Sequence, residues 1–115
     1  MAASEHLSPA QFFHGSDHPF EPGDVIRPGG AVGRSNHELS AEDRVYLTSN
    51  AGIAEVFAQD FVRPGRTPAV YEVHPHDPAE VRGTGHEFTA AHAVVKRRVH
   101  PDEVRRLAEA WEEDD

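Results

Sequence analysis

The chain contains no cysteine, an absence that excludes both disulfide bridges and thiolate metal sites. It has no apolar run near the ~20 residues needed to cross a bilayer, which predicts no membrane partner. Residues 1–6, Met-Ala-Ala-Ser-Glu-His, lack the basic and apolar regions of a signal peptide. Together these absences predict a cytoplasmic protein. Positive charge is also scarce. Lys and Arg number 11 against 20 Asp and Glu, for a formal net charge of −9, which argues against nucleic acid as a partner because phosphate backbones select basic surfaces. There is no internal repeat, and 115 residues are enough for one domain with a single core.

Punctuation by nine prolines and nine glycines predicts short elements joined by many turns. Residues 1–10 read as a frayed lead-in to a single domain over 11–115. Gln11–His14 is a predicted strand whose Phe12 and Phe13 enter the core. A turn over 16–23 leads to a second extended piece at 23–26. Residues 27–43 carry Pro28-Gly29-Gly30, Gly33 and Ser35-Asn36 with few apolar side chains. They predict a long mobile connection able to act as a lid or ligand clamp. Arg44–Thr48 reads as a strand, and Ser49 or Asn50 as a helix N-cap. Ile53, Val56 and Phe57 then fall at i, i+3 and i+4, predicting a helix of roughly ten residues that buries this stripe. Pro68–Val73 is the clearest strand. A polar loop is expected over 74–86 and one strand over about 87–99. Pro101 at the first helical position, with Asp102 and Glu103 after it, opens a last helix. Its apolar face is Val104, Leu107, Ala108 and Trp111, and its acidic end is expected to fray. The sum is a small α+β domain of mostly antiparallel strands with one or two covering helices.

The stretch Gln11-Phe12-Phe13-His14-Gly15-Ser16 carries the strongest chemical signal, taken with Val45-Tyr46-Leu47-Thr48. Its last three residues offer an imidazole, an unhindered backbone and a hydroxyl in succession, a set suited to the ribose hydroxyls and amide of a dinucleotide. A glycine there lets ligand and main chain approach without an intervening Cβ. Pro22-Gly23-Asp24, the 54–58 helix segment and Tyr71-Glu72-Val73-His74-Pro75 follow in order. From about Phe12 to Val99 this order resembles the rifampin ADP-ribosyltransferase family, within the wider His-Tyr class of ADP-ribosyltransferases. These enzymes break the nicotinamide–ribose bond of NAD and transfer ADP-ribose to a hydroxyl of a rifamycin.

The resemblance implies a split, mostly antiparallel sheet and NAD as co-substrate. It implies that His14 bonds the adenosine ribose, that the Gly15 backbone holds the nicotinamide amide, and that Tyr46 stacks on the nicotinamide ring. Ser16 and Thr48 would add hydroxyl contacts. A carboxylate must stabilise the oxocarbenium-like ribose and orient or deprotonate the attacking alcohol. At this point the chain departs from the family pattern, because Arg82 falls where the family keeps its aspartate. Asp77 and Glu80 are close in sequence, and Glu87 occupies the position of a glutamate found in many other His-Tyr transferases. The candidate acids are therefore Glu87 and Asp77.

Competing readings exist for the same residues. The acceptor is a rifamycin or similar small molecule in one version, and a protein side chain or other metabolite in another. Taken singly, His14 fits an ordinary turn histidine and Tyr71 a core aromatic. His74, His76 and Asp77, with His86 and His92, suggest a nitrogen and oxygen metal site, since residues i and i+2 of a strand share a face. No second histidine-rich segment has matching spacing, so no metal centre is assigned.

Overall fold

The computed structural model describes residues 11–28, 44–81 and 83–113. The 1–10 lead-in, most of the 27–43 loop and Arg82 lie outside them. In chain order the elements are β1 (Phe12–Ser16), β2 (Val25–Ile26), β3 (Val45–Thr48), helix α1 (Ala51–Asp60), β4 (Ala69–His76), β5 (Ala79–Glu80), β6 (Glu87–Ala90), β7 (His92–Val99) and helix α2 (Pro101–Glu113). Every strand pairing is antiparallel, and the strand order is β2-β7-β4-β1-β3-β6-β5. The architecture is thus α+β, as expected.

The sheet is split between β1 and β3. Five residues of β1 pair with β4, from Phe12↔Val73 to Ser16↔Ala69, whereas β1 meets β3 only at Phe13↔Thr48. One half-sheet is β2-β7-β4-β1 and the other is β3-β6-β5. The chain passes between them at Ala91, whose N–H donates to the His76 carbonyl at 2.9 Å. This break corrects the expected single strand over 87–99. A bend at one residue sends β6 to β3 and β7 to β4.

Strand alternation sorts the core into two layers. Val45, Leu47, Tyr71, Val73, Phe88, Ala93 and Val95 fill one face of the sheet. Phe13, Val70 and Val99 on the other face meet Ala51, Ala54 and Val104 of the helices. Helix α1 starts at Asn50, whose side chain accepts from the N–H groups of Gly52 and Ile53 and so satisfies two of the unpaired donors of the first turn. Its length matches expectation, but its buried stripe does not. Ala51, Ala54 and Ala58 face the sheet, and Val56 is 55% exposed. The small side chains let the helix approach β1 very closely, an arrangement that the larger Ile53-Val56-Phe57 stripe would prevent.

Strand β4 runs three residues past its predicted end, through Pro75 to His76. Pro75 pairs with Ala93 on one side, and β1 stops opposite Val73 on the other. No ladder bond from its missing N–H is needed there. The expected 74–86 loop also contains β5, two residues paired with β6. The last helix begins at Pro101 and buries Val104, while Trp111 remains 40% exposed.

Candidate functional site

At the split, β1 and β3 diverge beyond Phe13, so His14–Ser16 have a strand neighbour only on the β4 side among the described residues. His14 turns its ring into this gap, and Nδ1 lies 2.9 Å from the Tyr46 carbonyl oxygen. A carbonyl only accepts, so Nδ1 carries the proton and Nε2 keeps a lone pair. Burial holds the His14 pKa below the ordinary histidine value, against a smaller upward pull from the Tyr46 carbonyl. The ring is thereby held neutral, with Nε2 free to accept from a hydroxyl.

Tyr46 leaves β3 on the helix side, with the same parity as Thr48 opposite Phe13. Its ring packs against Phe57 of α1 with centroids 5.2 Å apart and planes 30° apart. Phe57 in turn meets Phe61 at 4.7 Å. Glu87 opens β6 directly opposite Thr48 and therefore shares a face with Tyr46 one pleat away. Burial chiefly, then the Glu87 charge and a hydrogen bond to its carboxylate, push the Tyr46 phenol up to about 12. The phenol thus stays protonated on the sheet face it shares with Glu87.

The imidazole and the phenol are linked through the Tyr46 main chain and project toward opposite faces of the sheet. A ligand that touches both would have to reach from one face to the other at the junction of β1 and β3. Phe57 adds a second aromatic wall beside Tyr46, a role missed while Phe57 was read as core. The signal was available in its helix position, immediately before Ala58 of the buried stripe and on the side turned toward β3.

Other expected contacts have different local duties. Gly15 is glycine because of α1: a Cβ built there would lie 2.0 Å from the Ala54 carbonyl oxygen and 3.0 Å from the Ala58 nitrogen. The close approach of α1 by itself requires a glycine at this position. Thr48 is buried, and its hydroxyl donates to the His86 carbonyl at 2.8 Å and accepts from the Asn50 N–H at 3.0 Å. It closes the β3–α1 junction. The Ser16 hydroxyl accepts from the His18 N–H at 3.0 Å. Tyr71 is buried as expected, its hydroxyl donating to the His18 carbonyl and accepting from the Phe20 N–H.

Of the acids, Asp77 is exposed and lies 3.6 Å from an Arg44 guanidinium nitrogen. Arg44 also donates to the Thr89 hydroxyl at 2.9 Å. This places Asp77 near the Thr89 end of β6, about 7 Å along the strand from Glu87. Glu80 accepts from the Gly85 N–H at 2.7 Å and so braces the approach to β6. Glu87 alone among the three joins Tyr46.

The histidines of the metal reading are dispersed. His76 and His92 stack with centroids 4.6 Å apart, His86 stands beside Glu87, and His74 is exposed. Among the described residues no three His, Asp or Glu side chains converge as ligands. A solvent-open cleft of about 320 Å³ lies between α1 and α2, lined by Glu55, Gln59, Arg98, Val99 and Val104. It shares no residue with the His14–Tyr46–Glu87 group. No helix among the described residues is long and apolar enough to cross a membrane. Neither a protein-family model nor a curated protein matches this chain.

Proposed function

We propose that the protein is an NAD-dependent mono-ADP-ribosyltransferase that modifies a hydroxyl of a rifamycin or a similar small molecule. The observation carrying this reading is the placement of Tyr46 and Glu87 on one sheet face at the split between β1 and β3, with the His14 imidazole bonded to the Tyr46 main chain from the other face. The neutral His14 offers Nε2 to a ribose hydroxyl. Tyr46 and Phe57 give flat apolar faces for a pyridinium ring, where an offset aromatic contact is worth about 0.5–1.5 kcal/mol beyond area burial. Glu87, on the same sheet face as Tyr46, supplies negative charge for the developing oxocarbenium. In this assignment Glu87 is the working acid and Asp77 is not, since Arg44 engages Asp77 away from Tyr46.

Incubation with NAD and rifampicin tests the whole proposal. The expected product is heavier than rifampicin by one ADP-ribose, with stoichiometric release of nicotinamide. NAD cleavage without rifampicin modification transfers the proposal to a protein or other metabolite as acceptor. Absence of NAD binding by calorimetry rejects every version of it.

A further inference from the structure

Transfer of ADP-ribose to an alcohol releases a proton, and Glu87, on the sheet face of Tyr46, is the carboxylate nearest the split. His86 is the adjacent basic group. Its Nε2 lies 3.6 Å from a Glu87 carboxylate oxygen, and both side chains are 30% exposed. Its main chain is tightly held: the carbonyl accepts from the Ser49 N–H at 3.0 Å and the Thr48 hydroxyl at 2.8 Å. Its ring meets the edge of Trp111 from α2, with centroids 6.3 Å apart. The imidazole therefore stands at an open rim, fixed by both helix–sheet junctions and facing a carboxylate.

We infer that His86 is the base that takes the proton of the acceptor hydroxyl, an assignment that rests on the NAD-transfer reading above. A carboxylate facing Nε2 favours the tautomer with Nε2–H toward Glu87 and leaves the Nδ1 lone pair for the acceptor. The separation exceeds a formed hydrogen bond and shortens when the ring gains charge, as catalytic contacts commonly do once substrate is bound. In the step, the acceptor oxygen forms a bond to ribose C1 while the C1–nitrogen bond to nicotinamide breaks. The bonding pair goes to the pyridinium nitrogen, so nicotinamide leaves neutral. The hydroxyl proton passes to Nδ1, and Glu87 stabilises the resulting imidazolium.

The test follows NAD turnover by wild type, His86→Gln and His86→Ala, with methanol or 2,2,2-trifluoroethanol as acceptor and mass spectrometry of the alkyl ADP-ribose. Circular dichroism melts establish that both variants fold. The methanol kcat should fall about 100-fold or more, with KM for NAD little changed. The deficit should shrink for trifluoroethanol, whose more acidic hydroxyl needs less help, and added imidazole should restore part of the His86→Ala rate. Equal losses with both alcohols and no imidazole response overturn the assignment, leaving His86 as a support for Glu87. An unchanged His86→Gln rate overturns it too. A wild-type protein that cleaves no NAD overturns this assignment and the function beneath it, whereas active wild type with active variants overturns only the base.

Discussion

Two carboxylates compete for one role, and their neighbours separate them. Glu87 shares the sheet face of Tyr46, whereas Asp77 is held by Arg44 near the other end of β6. Glu87→Gln keeps the shape and removes the charge, so kcat should fall on the order of 100-fold or more while NAD affinity changes only a few-fold. Asp77→Asn should leave kcat within about twofold. Steady-state kinetics of the two variants decide the matter, and the reverse pattern would move the acid to Asp77. Gly15 is the residue where stability is most exposed to a single methyl. Its missing Cβ points at the Ala54 carbonyl, backbone that cannot step aside as a side chain can. Gly15→Ala should cost about 3 kcal/mol or more, read as a lower denaturant midpoint. A neutral outcome would mean that α1 lifts freely from β1.

At the scale of elements, two junctions hold the wedge in shape. Asn50 caps α1 beside Thr48, and Asn50→Ala should lower stability by about 1 kcal/mol as measured by urea denaturation. On the other side, Asp17 follows β1 and accepts from the Arg63 N–H at 2.8 Å, Nε at 2.9 Å and Nη2 at 2.8 Å. The clamp ties the exit of β1 to the exit of α1. Chiefly through the Arg63 side-chain bonds, the Asp17 carboxyl drops from the ordinary 3.8 to about 2. Because the folded pKa is depressed, this contribution is complete above about pH 4 and disappears as pH falls toward 2. The stability gap between wild type and Asp17→Asn should therefore close across that window, and a gap independent of pH would contradict the clamp. Both junctions were only half legible. The Asn50 cap follows from the polar residue before an apolar run, but the Asp17–Arg63 pair joins residues 46 apart with no periodicity to announce it. The strand at 68–73 was readable from its own run of residues, whereas β5 and the Ala91 break depend on which strand each neighbour finds. The alanine stripe of α1 was hidden because hydrophobic size, rather than closeness of approach, guides a reading by periodicity.

For the whole molecule, the decisive feature is a sheet whose halves share one bridging pair, Phe13↔Thr48, beside the Ala91 passage. His14 belongs to one half, Tyr46 and Glu87 to the other, and their order along the chain was legible because each lies in a short motif. That His14 would bond the Tyr46 main chain rather than face its ring was not, since it depends on the angle at which β1 and β3 part. A ligand held by both sides adds contacts that the unfolded chain lacks, so NAD should stabilise the fold in proportion to its occupancy. At 100 times the dissociation constant the gain is about 2.7 kcal/mol, or a Tm rise of about 10 °C for a domain of this size. His14→Ala should weaken NAD binding and reduce the rise at the same NAD concentration, and Tyr46→Ala should do the same from the other half. Amide exchange should slow at residues 14–16 and 45–48 together if the ligand spans the wedge. Protection of one segment without the other would place NAD on a single half-sheet, and a Tm indifferent to millimolar NAD would leave the split as a structural feature with no dinucleotide in it.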